Sequence, residues 1–427
     1  MSESALRSAT LRLVRCFSND GDVLARLGAA EPRLRRALEG YLDALPMPPT
    51  VAAFTSGPFC RPPTSSRCFY FFPGAVDDLG AGTGGGAIAF KGLEPCAPDF
   101  SDLLADFRRA GPSPHDIAEH FVHEERKVPG CLTLEDALFE AERSSSYQAA
   151  HLAAYGEPAR APVPLFVFRH ADEVVALTSE ALRHHLSAPA FRVVEKELGR
   201  GLGAYVYYYP SLPIRVRDVD FLLQGFAFRE RLLAILGDVC DADEVVDRWV
   251  RGVVRMLYCG FIPGSLASLR SGMCCQPQNT CIDGGFLDLD SLTRFDELVD
   301  DTAVLAALQF SVDSLIDSVR TLVAGRVDPT RDEGSAVRID LHHFREYVLA
   351  LLRAAVESEA RPGLQLDARV STYLMPVREF GALIDRLSTY YSRSSAFERA
   401  AAEFRADIPK LLRAARRTRA AARTGDG

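Results

Sequence analysis

The sequence predicts an α+β protein, with a small strand-bearing part up to about residue 210 and a large helical part after it. Two observations predict this. Short aromatic and β-branched runs at 68–72, 87–91, 164–169 and 204–209 are set off by Gly, Pro and Ser clusters. From residue 218 onward, apolar residues recur three and four apart, interrupted by one tight hairpin at 280–289. At 427 residues the chain is too long for one simple core, so two or three domains, or two lobes around a cleft, are expected.

The elements follow in order. Segments 4–16 and 32–45 carry leucines at helical spacing, and 46–67 is a Pro-, Ser- and Thr-rich loop. Five glycines among residues 80–86 separate the first two strands, which makes a β-hairpin with a glycine-rich tip. Helices are expected over 101–109 and 114–126. A longer one spans 133–155, with Thr133 as N-cap, Asp136 three residues on, and Gly156 and Pro158 to stop it. In the 204–209 strand Tyr205, Tyr207 and Tyr209 share one face, opposite Val206 and Tyr208. Amphipathic helices are expected at 219–236, 243–258, 296–324, 337–358 and 395–423.

Composition narrows the function. Net charge is −8, so nucleic acid is not an expected partner. The basic run at 410–423 reads as a solvated helix end. No run reaches the roughly eighteen apolar residues of a membrane span. Glu3, Arg7, Arg12 and Arg15 interrupt any signal-peptide centre. Ten scattered cysteines without a scaffold rhythm read as reduced thiols, and a cytoplasmic protein is expected.

Three segments could carry chemistry. The first is 82–91, where Gly84, Gly85 and Gly86 would let backbone N–H groups approach phosphate oxygens and Lys91 would supply a point charge. No helix opens after these glycines, which argues against a Walker A loop or a dinucleotide fingerprint. The second is the 133–155 helix, where Glu140 competes with Glu135, Asp136 and Glu142 to hold that lysine. The third is 276–290, where a loop presents Asn279 and a hairpin turning at Asp283 returns Asp288 beside it. An amide carbonyl and a carboxylate are hard oxygen ligands of the kind that hold Mg²⁺ together with substrate phosphates. Asp283 is expected only to shape the turn, and Asp288 and Asp290 to share a strand face. Cys259, Cys274, Cys275 and Cys281 lack paired spacing for zinc and read as inert thiols, and the histidines show no recognisable partner base.

The order of these segments resembles the protein-kinase-like superfamily. The glycine-rich hairpin with Lys91 is similar to its phosphate loop and strand lysine, and Glu140 stands at its helix glutamate. Residues 204–210 resemble the strand that leads to the adenine-holding hinge, which implies a cofactor contact at Tyr209. Pro277-Gln278-Asn279 and Leu287-Asp288-Leu289-Asp290 resemble its two metal-binding motifs. Two positions depart: Cys274 stands where the catalytic aspartate would be, and Gly272 where the motif's histidine would be. A similar loss occurs in SelO-type pseudokinases, which transfer AMP to protein hydroxyls; their alternative base position is Gln278 here.

The resemblance implies a two-lobed kinase-like fold. It would consist of an N-terminal helical extension (1–67), a β-rich nucleotide-binding lobe (68–212) and a helical lobe with the metal loop (213–427). It implies a transferase that uses ATP and Mg²⁺ to move a phosphoryl or AMP group onto a hydroxyl of a protein or small molecule. Lys91 would contact phosphates, Glu140 would orient Lys91, Asn279 and Asp288 would hold metal, and Asp290 would be a second ligand or base. Two rivals stay open: a non-catalytic pseudokinase that binds a nucleotide or a protein partner, and a tailoring enzyme with thiol chemistry at Cys274.

Overall fold

The computed structural model describes residues 11–17, 59–60, 68–71, 86–92, 131–210, 213–216, 242–264, 275–277, 279–298, 301–324 and 341–374. The architecture is mixed α+β, a small antiparallel sheet with helices. Its strands are β1 (Leu11–Cys16), β2 (Phe59–Cys60), β3 (Cys68–Phe71), β4 (Ala87–Lys91), β5 (Leu132–Thr133), β6 (Val163–His170) and β7 (Leu202–Tyr209). They lie in the order β1-β6-β7-β4-β3-β2, with β5 on the far end of β7 and every pairing antiparallel.

The strand at Leu11–Cys16 corrects the helical reading of 4–16. Its pairing with β6 runs from Leu11 opposite His170 to Cys16 opposite Phe166. Helical leucine spacing was outweighed by an available sheet edge, since strand propensity follows context. The sheet therefore draws strands from before residue 68, where a helical extension was expected. The expected helices at 32–45, 101–109, 114–126, 219–236 and 395–423 lie outside the described residues.

Helix α1 (Leu134–Tyr155) begins as its cap predicts, with Asp136 N–H donating to Thr133 Oγ1 at 3.0 Å, and ends at Gly156 in left-handed backbone. At 22 residues it is about 33 Å long, enough to serve two cores. Ala137 and Ala141 pack in the sheet core with Ala87, Ala89, Tyr205, Tyr207 and Tyr209. Nearly two turns further on, Tyr147 enters the helical core and meets the Phe261 ring edge-on at 5.8 Å. Helices α2 (Asp172–His185) and α3 (Ala188–Leu198) fill the connection between β6 and β7 and form a third small core with Cys131 and Leu202.

The helical core is built on α4 (Ala242–Tyr258), whose Val245, Val246, Trp249, Val250, Val253 and Val254 are all buried. Around it pack α5 (Asp301–Ala324), α6 (Leu341–Ser358) and the short α7 (Ala368–Tyr373). A two-stranded sheet, β8 (Phe261–Ile262) with β9 (Thr293–Arg294), closes the segment after α4. Among the described residues no helix is long and apolar enough to cross a membrane.

Candidate functional site

Strand alternation places Ala87, Ala89 and Lys91 on one face of β4, toward α1 and the 280–289 hairpin. Lys91 is 4% exposed. Its ammonium donates to Glu140 Oε2 at 2.7 Å and, in a second ion pair, to Asp288 Oδ1. Of the four acids that competed on the helix, Glu140 is the one on the buried stripe with Ala137, Ala141 and Ser144. Burial pushes its carboxyl up to about 8; Lys91 pulls it down, and the nearby Asp288 and Asp290 charges push it up again.

The hairpin holds the other half. Asn279 is buried, and its carbonyl accepts from Leu287 N–H at 2.6 Å, which sets Asn279 beside the residue that precedes Asp288. Thr280 bridges to Phe286, and Cys281 N–H donates to Gly285 O at 2.9 Å, so the expected tight turn at 283–285 forms. The loop before it is anchored to α5: Thr280 Oγ1 donates to Ser318 Oγ at 3.1 Å, and Ser318 Oγ to Cys275 O at 2.6 Å. Trp249 Nε1–H of α4 donates to Cys281 O at 2.9 Å.

Asp288 has φ 60° and ψ 63°, the only non-glycine residue among those described with positive φ. A left-handed residue costs about 1–2 kcal/mol and is tolerated best by Asn and Asp, and such strain gathers at functional sites. A 3₁₀ turn, Leu289–Ser291, follows immediately. Asp288 and Asp290 therefore do not share a strand face: the pairing here is the single bridge at Phe286, and Asp290 lies in the 3₁₀ turn. Asp290 stays near enough for its charge to act on Glu140.

Gly84 and Gly85 lie outside the described residues. Gly86 opens β4 beside Tyr209, five residues from Lys91, or about 16 Å along an extended strand. Gly86 and Lys91 thus cannot grip the same phosphate. The glycine is required by packing: a Cβ there would lie 2.3 Å from Tyr209 O and 2.4 Å from the Tyr208 ring. At the Lys91 level the neighbours are Cys68 on β3 and Tyr205 on β7.

Tyr209 is fully buried, and its hydroxyl donates to Asp283 Oδ1 at 3.1 Å, so its side chain serves the hairpin. Asp283 does more than shape the turn. It is 2% exposed, its Oδ1 also accepts from Gly285 N–H at 2.9 Å, and its carbonyl accepts from Arg160 and Arg248 at 3.0 and 3.2 Å. Sequence reading missed this tie, although the three inward tyrosines of β7 and the Asp-Gly-Gly turn were its two halves.

Cys274 and Gln278 lie outside the described residues. Cys68, Cys131, Cys275 and Cys281 are buried, and burial pushes the Cys68 thiol up. His170 is a buried histidine with its Nε2 2.9 Å from Gly92 O. Among the described residues no group of three or more His, Cys, Asp or Glu forms a ready metal cage. Asn279 and Asp288 suit a hard cation that takes its remaining oxygens from a ligand.

Comparison with models of known protein families and with curated proteins found no match.

Proposed function

We propose that this chain is an atypical, two-lobed kinase-like transferase that uses Mg-ATP to move a phosphoryl or AMP group onto a hydroxyl of a protein or small molecule. The observation that carries the reading is the Lys91 ammonium, drawn from the sheet and held between Glu140 of α1 and Asp288 of the hairpin. Three segments far apart in sequence meet there as a cation and two acids, buried in the fold. Lys91 would meet phosphate oxygens, Glu140 would keep it pointed, and Asn279 and Asp288 would hold the metal. Mg²⁺ at that place would offset charge on the phosphates, so catalysis would rest on positioning and electrostatics. Asp290 is the nearest further carboxylate for a second metal contact or a base.

The test is incubation with Mg²⁺ and ATP labelled separately at the α and γ phosphates, with Asp288→Ala as control. Label from α alone means AMP transfer, and label from γ alone means phosphoryl transfer. Absence of any transfer to itself, to proteins or to small hydroxyl acceptors removes the enzymatic reading.

One observation favours a non-catalytic relative. The sheet face where a purine would lie, Cys68, Tyr70, Ala89 and Tyr207, is at most 2% exposed, and Cys281 and Leu287 of the hairpin share its core. A base would enter only if these side chains moved or the hairpin drew back. ATP binding that is saturable but never turns over would identify a pseudokinase.

A further inference from the structure

The hairpin lies along the inner face of β7. Its tip, Asp283, meets Tyr209, while its far end, Asp288, meets Lys91, whose strand partner on β7 is Tyr205. Tyr209 and Tyr205 are four residues apart, about 13 Å of strand. Tyr209 is also the last residue of β7 before the chain passes to the segment 213–216. That segment pairs with the hairpin backbone: Ile282 N–H donates to Ile214 O at 3.0 Å, and Val216 N–H to Thr280 O at 2.9 Å. These bonds attach the hairpin to the helical side of the chain. The Tyr209 hydroxyl bond to Asp283 joins the sheet to the hairpin tip.

We infer that Tyr209 and Asp283 are positioning residues that set the hairpin's place under the sheet, so that Asp288 reaches Lys91. This inference rests on the functional reading above for its purpose, though not for its geometry. A buried carboxylate is costly unless hydrogen-bonded, so its retention at a turn that asparagine could form calls for a partner. Asp283 has two on its side chain, the β7 hydroxyl and the Gly285 amide. The fit is close: a Cβ on Gly285 would lie 2.0 Å from Tyr209 Oη and 2.6 Å from Arg160 O. Sliding the hairpin along β7 would lose the hydroxyl bond at one end and the ammonium contact at the other.

The experiment is a double-mutant cycle read by thermal midpoint, pairing Tyr209→Phe with Asp288→Asn. If the tie positions Asp288, then Asp288→Asn shifts the midpoint less in the Tyr209→Phe background, by about 2 °C or more. Additive shifts overturn the inference. Asp283→Asn keeps an acceptor oxygen for Tyr209 and Gly285, so it retains the coupling, whereas Asp283→Ala abolishes it. Equal behaviour of the two also overturns the inference. These variants decide the matter even if Tyr209→Phe does not fold. Mg-ATP is titrated in parallel. An affinity loss of about tenfold in Tyr209→Phe supports the inference, and unchanged affinity counts against it. No Mg-ATP binding by the wild type refutes the functional reading, while the cycle still decides the tie.

Discussion

Replacing Lys91 with methionine leaves Glu140 and Asp288 facing each other without their shared cation. Their side chains are 2% and 14% exposed, so solvent offers little relief. Breaking a buried ion pair from one side costs about 3–5 kcal/mol. Glu140 already sits near 8 with Lys91 present. Its carboxyl is therefore already largely protonated at neutral pH and rises further without the lysine, which holds the cost near the lower end, about 3 kcal/mol. That corresponds to a midpoint drop of about 6–12 °C for a domain of 150–250 residues. The pH dependence fixes the sign. An acid whose folded value lies above its unfolded value of about 4.3 binds more protons when folded, so its stabilising contribution fades as pH rises through the folded value. The variant's carboxyl keeps its proton to higher pH than the wild type's, so the Lys91→Met penalty should stay flat from pH 5.5 to about pH 7 and deepen as pH rises through about 8 in thermal or denaturant melts. Adding Glu140→Gln should recover part of the loss, because a neutral pair carries little of the desolvation penalty. A penalty that shrinks with pH, or a double variant less stable than Lys91→Met alone, would refute the buried triad.

The same linkage predicts that wild-type stability falls between pH 5 and pH 8 relative to Glu140→Gln, which cannot titrate there; parallel curves in pH-scanned melts would contradict it. Gly285→Ala should cost about 1–3 kcal/mol, because its methyl meets the Arg160 backbone carbonyl as well as the buried Tyr209 hydroxyl; a midpoint within 1 °C of the wild type, or about 0.3 kcal/mol, would show that the turn yields. Trp249→Phe removes one of two donors to Cys281 O, which still accepts from Gly284 N–H at 3.0 Å, so the expected cost is about 0.5–1.5 kcal/mol, with faster amide exchange in the hairpin by mass spectrometry; unchanged exchange would contradict it.

Much of the fold was legible in short-range pattern. The α1 cap, its glycine stop and the inward tyrosines of β7 follow from local rules, and all three stand in the structure. Local pattern failed where partners came from far away. The helical spacing of 4–16 could not show that β6 offers an edge to Leu11–Cys16. Gly86 and Lys91 lie close in sequence, yet an extended strand carries them about five residues apart in space, which adjacency alone does not show. At the site, Lys91, Glu140 and Asp288 were each nameable from residue type and order. Choosing Glu140 among four acids needed the helix face that burial selects. Strand alternation paired Asp288 with Asp290, and a single left-handed residue undoes it. Asp283 was underestimated because a turn residue explains itself locally, while its tie to Tyr209 spans 74 positions of chain.

The central claim, that Lys91, Glu140, Asn279 and Asp288 form the phosphate and metal half of a Mg-ATP site, is tested most directly by calorimetric titration of the wild type and Asp288→Ala with ATP, with and without Mg²⁺. The account predicts saturable binding by the wild type that weakens at least tenfold when Mg²⁺ is withheld. It predicts that Asp288→Ala loses this metal dependence. A ligand that binds the native state must also stabilise it, by about 2.7 kcal/mol at one hundred times its dissociation constant, so the melting midpoint should rise in step. Wild-type heats and midpoints that do not change with Mg-ATP would contradict the claim, as would binding that Asp288→Ala leaves intact.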